Sequence, residues 1–316
     1  MKIVAGLGSI DEYIRFAEAG ADEFFCGYVP YSWSKKYGTV LPLNRREVLC
    51  YNVQLGAFSE LEILSGMMKK YEKPVHLTFN SQYYIPEQYP EIAGIISQCM
   101  KIGFHSYIIA DPALIVYLRE KGIPCEIHMS GEMGEINRRT VEVFQRLDLK
   151  RVIFHRKNSF EDMQSVICSE RTAGGRRAET EFEAFVLNEM CQFTGAFCNS
   201  LHCDELGHLC RVPYWTEPVR DESEDEDATA PKYDDNGYLC GATGCGLCAL
   251  YRLRDAGITH LKLVGRGNYT DFMEKDIRNL KAALEILENT DTEAAFRTEM
   301  KKQIFPYGCS GNCYYL

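Results

Sequence analysis

Residues 106–129, SYIIADPALIVYLREKGIPCEIHM, contain the pattern that decides the fold. SYIIA (106–110) and CEIHM (125–129) are short runs rich in apolar and β-forming residues, and the segment between them, Pro112–Glu120, predicts a helix. YIIA is apolar without strict alternation, which is typical of parallel strands that are buried on both faces. The stretch therefore predicts one strand–helix–strand unit of a parallel sheet.

The same alternation runs through the rest of the chain. Eight segments predict strands, namely 2–6, 21–27, 75–79, 106–110, 125–129, 151–155, 183–187 and 260–264. The predicted helices are Ile10–Ala19, Glu60–Lys70, Ile85–Lys101, Pro112–Glu120, Arg138–Arg146, Ser159–Ile167, Tyr269–Glu285 and Glu293–Lys302. Eight such α/β units favour a closed (β/α)8 barrel of the TIM type over an open doubly wound sheet.

A cysteine-rich stretch interrupts this pattern once. We expect residues 1–190 to contain the first seven strands, 191–250 to form a cysteine-rich insert, and 251–316 to supply the last barrel unit and a C-terminal tail. Within the insert, residues 217–236 carry nine acidic and two basic side chains, so most of the net charge of −10 is local. This composition is typical of a solvated, disordered loop. The net charge argues mildly against tight nucleic-acid binding.

Composition limits the class of protein. Of the 316 residues, 46% are hydrophobic and 12% are aromatic, which is enough for a sizeable core. The N-terminus lacks a basic region followed by a long apolar run, and no segment approaches the roughly 18 apolar residues of a membrane span. We therefore expect a cytoplasmic protein without a membrane span. Because thiols stay reduced in that compartment, the 14 cysteines indicate metal or redox chemistry rather than disulfides.

Polar residues at the predicted strand ends are candidates for binding and catalysis. Active sites of (β/α)8 barrels form at the carboxyl ends of the strands. Each such residue taken singly is more often a loop cap or a structural polar group, but a convergent set carries more weight. The candidates are Asn80, Asp111, His128, Glu132, His155 and Arg156.

Seven of the cysteines lie between Cys191 and Cys248, a density that no apolar core requires. Soft sulfur ligands select zinc, copper(I) or iron–sulfur clusters. Cys240-x4-Cys245-x2-Cys248 has the spacing found at the start of plant-type ferredoxin motifs, and its flanking glycines would let the backbone wrap around a cluster. One alternative is a structural zinc site built on Cys245 and Cys248, although a second C-x2-C pair is missing. A third interpretation, reduced structural cysteines without a special role, suits the cysteines in or near apolar segments, namely Cys26, Cys50, Cys99, Cys125 and Cys168.

Several blocks of the sequence carry a family resemblance. They are GLGSIDEYIRFAEAGADEFFCG (6–27), HLTFN (76–80), CEIHMSGEMGEIN (125–137), EAFVLNEMCQFTGAFCNS (183–200) and GLCALYRLRDAGITHLKLVGRGN (246–268). The last two blocks are the most specific. Through these blocks most of the chain resembles the collagenase-like peptidases of unassigned catalytic type, family U32.

The resemblance implies an activity and a set of metal ligands. Members of this family that hydroxylate ubiquinone precursors, ribosomal RNA or transfer RNA without oxygen form barrels, and several bind a 4Fe-4S cluster through four cysteines. Carried over to this sequence, the cluster-binding residues of the insert are Cys191, Cys198, Cys210 and Cys248. Cys245 is an alternative fourth ligand, and Cys240 belongs to the competing local motif.

The block 246–268, which contains the last predicted strand, also suggests substrate-binding residues through the resemblance to the family. Lys262 and Arg266 match this block, and Arg266 at the end of the last strand would be placed to hold an anionic group bidentately. The chain departs from the family where Leu187 and Asn188 replace His-Gly and where Val264 replaces glutamate. Because two polar positions of the pocket are altered, we expect a different substrate.

The tail contains a further cysteine pair that the family pattern does not explain. Cys309-x3-Cys313 lies within the last eight residues of the chain. Together with Cys203, Cys240 and Cys245, this pair is a candidate for a second metal site or a redox pair. The alternative is that these cysteines are loosely ordered surface thiols.

The leading hypothesis is an iron–sulfur-dependent, oxygen-independent hydroxylase or related redox enzyme. The sequence lacks the H-E-x-x-H and G-x-S-x-G motifs of hydrolases. A peptidase and a zinc-stabilised scaffold or partner subunit are the alternatives. A small molecule, a peptide and RNA all stay open as substrates, as do a hetero-pair and a homo-oligomer. The candidate catalytic residues are His128, His155 and Arg266, and the candidate substrate-binding residues are Asn80, Glu132, Arg156 and Lys262.

Overall fold

The computed structural model describes residues 1–38, 40–45, 53–134, 136–191 and 232–315. Within these ranges, nine parallel strands form one sheet at the centre of the protein. In chain order the strands are β1 (Lys2–Gly6), β2 (Glu23–Tyr28), β3 (Gln54–Leu55), β4 (Val75–Phe79), β5 (Ser106–Ile109), β6 (Glu126–Met129), β7 (Leu149–Ile153), β8 (Glu181–Leu187) and β9 (His260–Leu263).

Eight of the strands close into a ring. Their hydrogen-bonded order is β1-β9-β8-β7-β6-β5-β4-β2, and β1 pairs with β2 to complete the circle. β3 lies outside the ring and pairs with the carboxyl end of β2, where Gly27 faces Gln54. The eight strands of the ring correspond to the eight segments that the sequence predicts. The predicted (β/α)8 barrel is therefore confirmed.

Helices connect the strands and cover the outside of the barrel. They are α1 (Glu12–Ala19), α2 (Tyr31–Tyr37), α3 (Phe58–Tyr71), α4 (Gln88–Lys101), α5 (Pro112–Glu120), α6 (Arg138–Phe144), α7 (Phe160–Ala173), α8 (Gly175–Ala178), α9 (Leu250–Ala256), α10 (Thr270–Glu288) and α11 (Glu293–Gln303). The sequence pattern does not predict α2, α8 or α9. α2 buries one side chain, Trp33, and therefore shows no apolar periodicity. In the described part of the chain, none of the helices combines the length and apolar character needed to cross a membrane.

The strands are buried on both faces because the barrel has an outer and an inner apolar layer. β2 and β4 are buried at every residue. Outward-facing side chains such as Phe24 and Leu77 belong to the large core cluster that includes helix residues such as Leu61 and Ile96. The inner apolar layer is a separate cluster around the barrel axis, formed by Val4, Phe25, Ile108, Ile153 and Phe185.

After β8 the described chain runs to Cys191, and it resumes at residue 232 before it continues through α9 to β9. The predicted ligands Cys198 and Cys210 and most of the acidic segment, 217–231, lie outside the described residues. The end of that segment, 232–236, contains a turn in which Asp234 accepts hydrogen bonds at 2.9 Å from the backbone N–H groups of Asn236 and Tyr238.

Candidate active site at the carboxyl end of the barrel

Three arginine side chains lie at the carboxyl end of the barrel, and each is nearly buried. Arg156 follows β7, Arg266 follows β9, and Arg45 belongs to the segment between α2 and β3. Arg45, Arg156 and Arg266 expose 8%, 8% and 6% of their surfaces. A guanidinium group keeps its charge even when it is buried, so this barrel mouth concentrates positive charge.

Arg266 is fixed across the mouth by neighbouring strands. Its Nη1 donates to Oε1 of Gln54 at 3.3 Å and to Oγ1 of Thr78 at 3.4 Å. Gly27 makes room for this contact, because a Cβ there would lie 1.4 Å from Oε1 of Gln54 and 2.9 Å from Nη1 of Arg266. Neutral groups on β3 and β4 thus hold the positive charge of Arg266 in place.

Glu132 bridges the other two arginines. Its Oε2 lies 3.2 Å from Nε of Arg45, and its Oε1 lies 3.5 Å from Nη1 of Arg156. Asn80 accepts a hydrogen bond from the backbone N–H of Arg45 at 3.2 Å. The structure therefore brings four predicted residues, Asn80, Glu132, Arg156 and Arg266, to the same end of the barrel.

The inner apolar layer forms the floor of this mouth. Cζ of Arg156 lies 3.9 Å from the ring centroid of Phe185, and Cζ of Arg266 lies 5.8 Å from that of Phe25. At such distances each cation–π contact contributes about 0.5 to 2 kcal/mol. The floor therefore stabilises the two guanidinium groups while excluding water from beneath them.

His155 lies at the end of β7 among these charges and is 1% exposed. Its Nδ1 accepts a hydrogen bond from the backbone N–H of Lys157 at 3.3 Å, which places the proton of the neutral ring on Nε2. Burial lowers the pKa of His155 to about 4; the charge of Glu132 opposes this effect, whereas the charges of Arg156 and Lys157 reinforce it. His155 is therefore neutral at neutral pH.

The lowered pKa of His155 predicts a pH dependence of stability. In the unfolded chain this histidine takes up a proton near its ordinary pKa of about 6.5, whereas in the folded chain it does so near pH 4. The unfolded state thus binds more protons between these values, and stability falls as the pH drops from 6.5 towards 4. Between pH 7 and 4.5 this effect lowers the free energy of unfolding of the wild type by about 2 kcal/mol. We expect His155→Asn to lack this part of the decrease, as measured by urea unfolding at the two pH values.

A matched control for this prediction is His105→Asn, because His105 is exposed. This substitution should leave the pH profile of the wild type unchanged. If the stability of His155→Asn depends on pH as that of the wild type does, the pKa of His155 is the same in the folded and unfolded states.

A charged network fills the amino-terminal part of the barrel interior. Arg151 donates to Glu23 and Glu181 at 2.7 Å and to Glu183 at 2.8 Å. Lys262 donates from Nζ to Oε1 of Glu183 at 2.7 Å. Burial opposes the ionisation of Glu183, but the charges of Lys262 and Arg151 hold its pKa at about 2. The head group of Lys262 therefore points into this network, and the substrate-binding role suggested for it stays a prediction.

His128 also lies inside the barrel rather than at its mouth. It is the third residue of β6, it is 1% exposed, and its ring centroid lies 4.6 Å from that of His76 on β4. Burial, together with the charge of Arg151, holds the pKa of His128 well below its ordinary value. In the described ranges, Nδ1 of His128 and Nδ1 of His76 have no hydrogen-bond partner. His128 is therefore apart from the three arginines of the barrel mouth, and its catalytic role stays a prediction.

Two of the predicted cluster ligands, Cys191 and Cys248, are described. Cys191 follows β8, whose continuation at 188–190 forms backbone hydrogen bonds with 243–244. It lies near enough to Arg156 to influence the ionisation of that side chain. Cys248 belongs to a single turn of 3₁₀-helix, Leu247–Ala249, and both cysteines are partly exposed.

The remaining described cysteines of interest differ in exposure. Cys240 and Cys245 are buried, whereas Cys309 and Cys313 are exposed. Burial raises the pKa of Cys240 well above its ordinary value, so this thiol stays protonated. As the side chains stand, the described part of the chain contains no group of three or more His, Cys, Asp or Glu residues arranged to hold a metal ion.

The C-terminal tail returns to the barrel mouth. Tyr314 packs against the inner apolar layer, and its hydroxyl donates to the carbonyl oxygen of Asn188. The hydroxyl of Tyr315 donates to the carbonyl oxygen of Phe185 at 2.8 Å, beside the irregularity in β8 between Phe185 and Leu187. The tail therefore forms part of the wall of the candidate site.

Some residues of the mouth are absent from the sequence predictions. Thr78 was predictable, because it lies two residues before Asn80 and its side chain therefore projects to the same face of the strand as that of Asn80. Arg45, Gln54 and Tyr314 come from segments without a periodic pattern. The predicted candidate Asp111 instead caps α5, where Oδ1 accepts from the backbone N–H of Ala113 at 2.7 Å.

A comparison with known families accounts for nearly the whole chain. Residues 8–314 match the sequence profile of the family described as "Peptidase family U32". The chain belongs to peptidase family U32. The family that the sequence blocks suggest is thereby confirmed. The left-handed conformation of Asn188 in this U32 chain, with φ 68°, fits the position where the sequence comparison places the family's usual glycine.

One curated relative of this U32 chain is tRNA hydroxylation protein P of Escherichia coli (strain K12). The two are 26% identical over 189 residues, which cover 58% of this chain and 36% of the relative. The match thus spans little more than a third of that protein's length.

Solved structures similar to this U32 chain include the U32 peptidase Mk0906 and dihydrodipicolinate synthase from Oceanobacillus iheyensis. The first is 14% identical, with a TM-score of 0.44 and coverage of 62% of this chain and 73% of that structure. The second is 8% identical, with a TM-score of 0.46 and coverage of 96% of this chain and 81% of that structure. Likenesses of this size carry no inference about activity or ligands.

Proposed function

We propose that this chain is an iron–sulfur-dependent redox enzyme that hydroxylates an anionic substrate without molecular oxygen. The choice of an anionic substrate rests on the cluster of nearly buried arginines at the barrel mouth, and the choice of hydroxylation rests on the family and on the name of the curated relative. Substrates of (β/α)8 enzymes bind at this end of the barrel. Guanidinium groups held there recognise carboxylate or phosphate oxygens by charge-assisted hydrogen bonds.

Arg156 is the best-supported contact for such a substrate. Within the described residues, its buried Nε has no hydrogen-bond partner, and its bond to Glu132 is long at 3.5 Å. A buried donor without a partner costs about 1 to 3 kcal/mol. A substrate oxygen placed at this nitrogen would recover that cost.

The cysteines support the cofactor of this proposal by their chemistry and by the position of Cys191. The suggested donors are all thiols, the ligand type that iron–sulfur clusters take. Cys191 lies near enough to Arg156 to influence its ionisation, shortly after the carboxyl end of β8. Hydroxylation without O₂ would take the oxygen atom from water and remove two electrons and two protons from the substrate and water together, so it requires an external electron acceptor. These cysteines would hold the cluster, which would supply the one-electron redox chemistry that links substrate and acceptor.

We propose RNA, and transfer RNA in particular, as the first substrate class to test. Support comes from the name of the relative, tRNA hydroxylation protein P, and from the basic mouth. Phosphate oxygens would bind the arginines by charge-assisted hydrogen bonds. The net charge of −10 argues only mildly against this, because much of it lies in 217–236 and a basic patch can be local.

Peptide cleavage finds less support in the described residues. One hydroxyl–imidazole pair, Thr259 with His260, has Oγ1 2.7 Å from Nδ1. It lies at the amino end of β9, away from the mouth, and the Thr259 hydroxyl already donates to the carbonyl oxygen of Phe182 at 2.9 Å. This geometry does not provide an activated nucleophile at the mouth.

The test is metal analysis combined with an RNA modification assay. Protein purified without oxygen should contain iron and acid-labile sulfide and should add one oxygen atom to a tRNA nucleoside, detected by mass spectrometry. Cys191→Ser should lose most of the iron and the activity. Cys168→Ser is the matched control, because Cys168 is exposed on α7 and should retain both.

Other outcomes would contradict this proposal or favour a different function. Protein without iron or sulfide would overturn the proposal. Stoichiometric zinc alone would favour a structural scaffold. Peptide hydrolysis that persists in Cys191→Ser would favour a peptidase.

A further inference from the structure

The C-terminal tail, residues 310–315, is held against the loop that precedes Cys245. Ser310 donates from Oγ to the carbonyl oxygen of Gly241 at 2.7 Å, and Asn312 donates from Nδ2 to that of Ala242 at 2.6 Å. The backbone of the tail also forms two hydrogen bonds with the backbone of Cys245, both at 2.8 Å. Because side chains and backbone both take part, the tail has a fixed position next to this loop.

The loop leaves room for the rings of the two tyrosines in the tail. A Cβ at Gly244 would lie 3.0 Å from two ring atoms of Tyr314, and a Cβ at Gly246 would lie 3.1 Å from the ring of Tyr315. A side chain at either position would press on these rings, so the two glycines allow the rings to pack directly on the loop backbone. Both rings are therefore built into this part of the fold.

The acceptor for the Tyr314 hydroxyl is itself fixed by buried contacts. This hydroxyl donates to the carbonyl oxygen of Asn188, the residue that follows β8. Asn188 is 5% exposed, and its Nδ2 donates to Oδ2 of Asp276 on α10 at 2.8 Å. Asp276 is also buried and accepts a hydrogen bond from the hydroxyl of Tyr238 at 2.7 Å. The side chain of Tyr314 is therefore anchored at its outer end as well as through the backbone.

The ring of Tyr314 lies on the inner apolar layer of the barrel. It packs against this layer, as Val264 does. The layer includes Phe185, whose ring centroid lies 3.9 Å from Cζ of Arg156. Burial raises the pKa of Tyr314, and the charge of Arg156 opposes this effect. Tyr314 therefore covers part of the floor of the mouth, next to Arg156.

We propose that Tyr314 is a specificity-determining residue that limits the depth of the substrate pocket. Tyr314 is partly exposed, so a group that enters the mouth beside Arg156 meets the tyrosine ring above the inner apolar layer. An aromatic ring joined directly to the substrate anion would need the space that Tyr314 fills. An anion whose nearest ring is farther away would bind without entering that space.

This inference rests on the proposed function in one respect, the binding of the substrate anion by Arg156. It also specifies how RNA would bind. In RNA a ribose separates each phosphate from its base, so a phosphate can contact Arg156 while the base stays outside the inner apolar layer. The pocket would thus favour such a substrate over a compact aryl anion.

Two anions of different size test the depth limit by isothermal titration calorimetry on the full chain. The probes are inorganic phosphate and phenyl phosphate. The wild type should bind phenyl phosphate at most about threefold more tightly than phosphate. Tyr314→Ala uncovers apolar surface that can take up the phenyl ring, so its affinity for phenyl phosphate should exceed that of the wild type at least about tenfold. Its affinity for inorganic phosphate should change by less than about threefold.

Further variants separate the ring of Tyr314 from other effects. Tyr314→Leu keeps apolar packing in case Tyr314→Ala does not fold, and it should show an intermediate gain for phenyl phosphate. Tyr314→Phe keeps the ring and should keep the low affinity for phenyl phosphate. The matched control is Tyr307→Ala, because Tyr307 lies in the same C-terminal segment and is 69% exposed. It should leave both affinities unchanged.

Benzene gives a readout that does not depend on the arginines. In buffer saturated with benzene, the melting temperature of Tyr314→Ala should rise by at least about 2 °C more than that of the wild type. Arg156→Gln is the reference for the anion. It should weaken phosphate binding by about tenfold in the wild-type and Tyr314→Ala backgrounds alike.

The results distinguish failure of this inference from failure of the proposed function. Folded Tyr314→Ala or Tyr314→Leu without a gain for phenyl phosphate or benzene would overturn the depth limit. So would a wild type that already binds phenyl phosphate far more tightly than phosphate, or an equal gain in Tyr314→Phe. Phosphate binding that is absent, or that survives Arg156→Gln, would contradict the anion site of the proposed function, whereas the benzene shift would still support the depth limit.

Discussion

Replacing Glu183 by glutamine is expected to lower the free energy of unfolding by about 3 to 5 kcal/mol. Glu183 is 0% exposed and lies between two cations, with Arg151 at 2.8 Å and Lys262 at 2.7 Å. Glutamine keeps the shape and the hydrogen-bonding oxygen but removes the negative charge, so two buried cations lose a counter-charge. The measurement is urea unfolding followed by circular dichroism at pH 7.

Glu18→Gln is the matched control, because Glu18 is exposed on α1 and its substitution should change stability by less than about 0.5 kcal/mol. The double variant Glu183→Gln/Lys262→Met removes one charge of each sign. It should therefore be more stable than the sum of the two single substitutions predicts. Additive losses would show that Glu183 and Lys262 do not stabilise each other.

The same network predicts an acid transition. The pKa of Glu183 in the folded chain is about 2, below its ordinary value of 4.5. The lowered pKa therefore adds about 3 kcal/mol to the free energy of unfolding. This contribution is fully present above pH 4.5 and is lost as the pH falls towards 2. Glu183→Gln should lose less stability than the wild type over this range.

The fold is readable from the sequence because each barrel strand is a short apolar run followed by a helical segment. The contacts among side chains inside the barrel are harder to predict from the sequence. Glu23 lies within a predicted strand, and Arg151 and Glu183 begin theirs, but the sequence does not tell that they face inward or which partners they meet across the barrel. His128 shows the same difficulty, because a parallel strand that is apolar on both faces hides which side chains point to the axis.

Some residues of the candidate site can likewise be predicted from the sequence, and others cannot. Arg156 and Arg266 are predictable because they follow strands, and the ends of parallel strands meet at one end of a barrel. Arg45 meets Glu132 only through the closure of the fold, and no local pattern marks it. The pairing of Cys313 with Cys245 likewise depends on hydrogen bonds between the tail and a distant loop.

Replacing Arg266 by glutamine is expected to weaken the binding of a tRNA probe by about 10- to 100-fold, which corresponds to the loss of a charge-assisted contact of about 1.5 to 3 kcal/mol. Arg266 is held at the mouth by Gln54 and Thr78, so its charge is already positioned before a substrate binds. Arg266→Lys keeps the charge but loses the planar fork, and we expect an intermediate loss. Binding is measured by fluorescence anisotropy at fixed salt concentration, since phosphate contacts depend on it.

The matched control is Arg176→Gln, because the side chain of Arg176 is 82% exposed and pairs with Asp148, which precedes β7 at the amino end of the barrel. It removes the same charge from the opposite end and should change the affinity by less than about twofold. Equal losses in both variants would mean that the probe responds to overall charge rather than to the mouth. Unchanged affinity in Arg266→Gln, with an unchanged melting temperature, would exclude Arg266 from RNA binding. It would also leave open a small anionic substrate, for which the same variants can be assayed with a carboxylate or phosphate ligand in place of RNA.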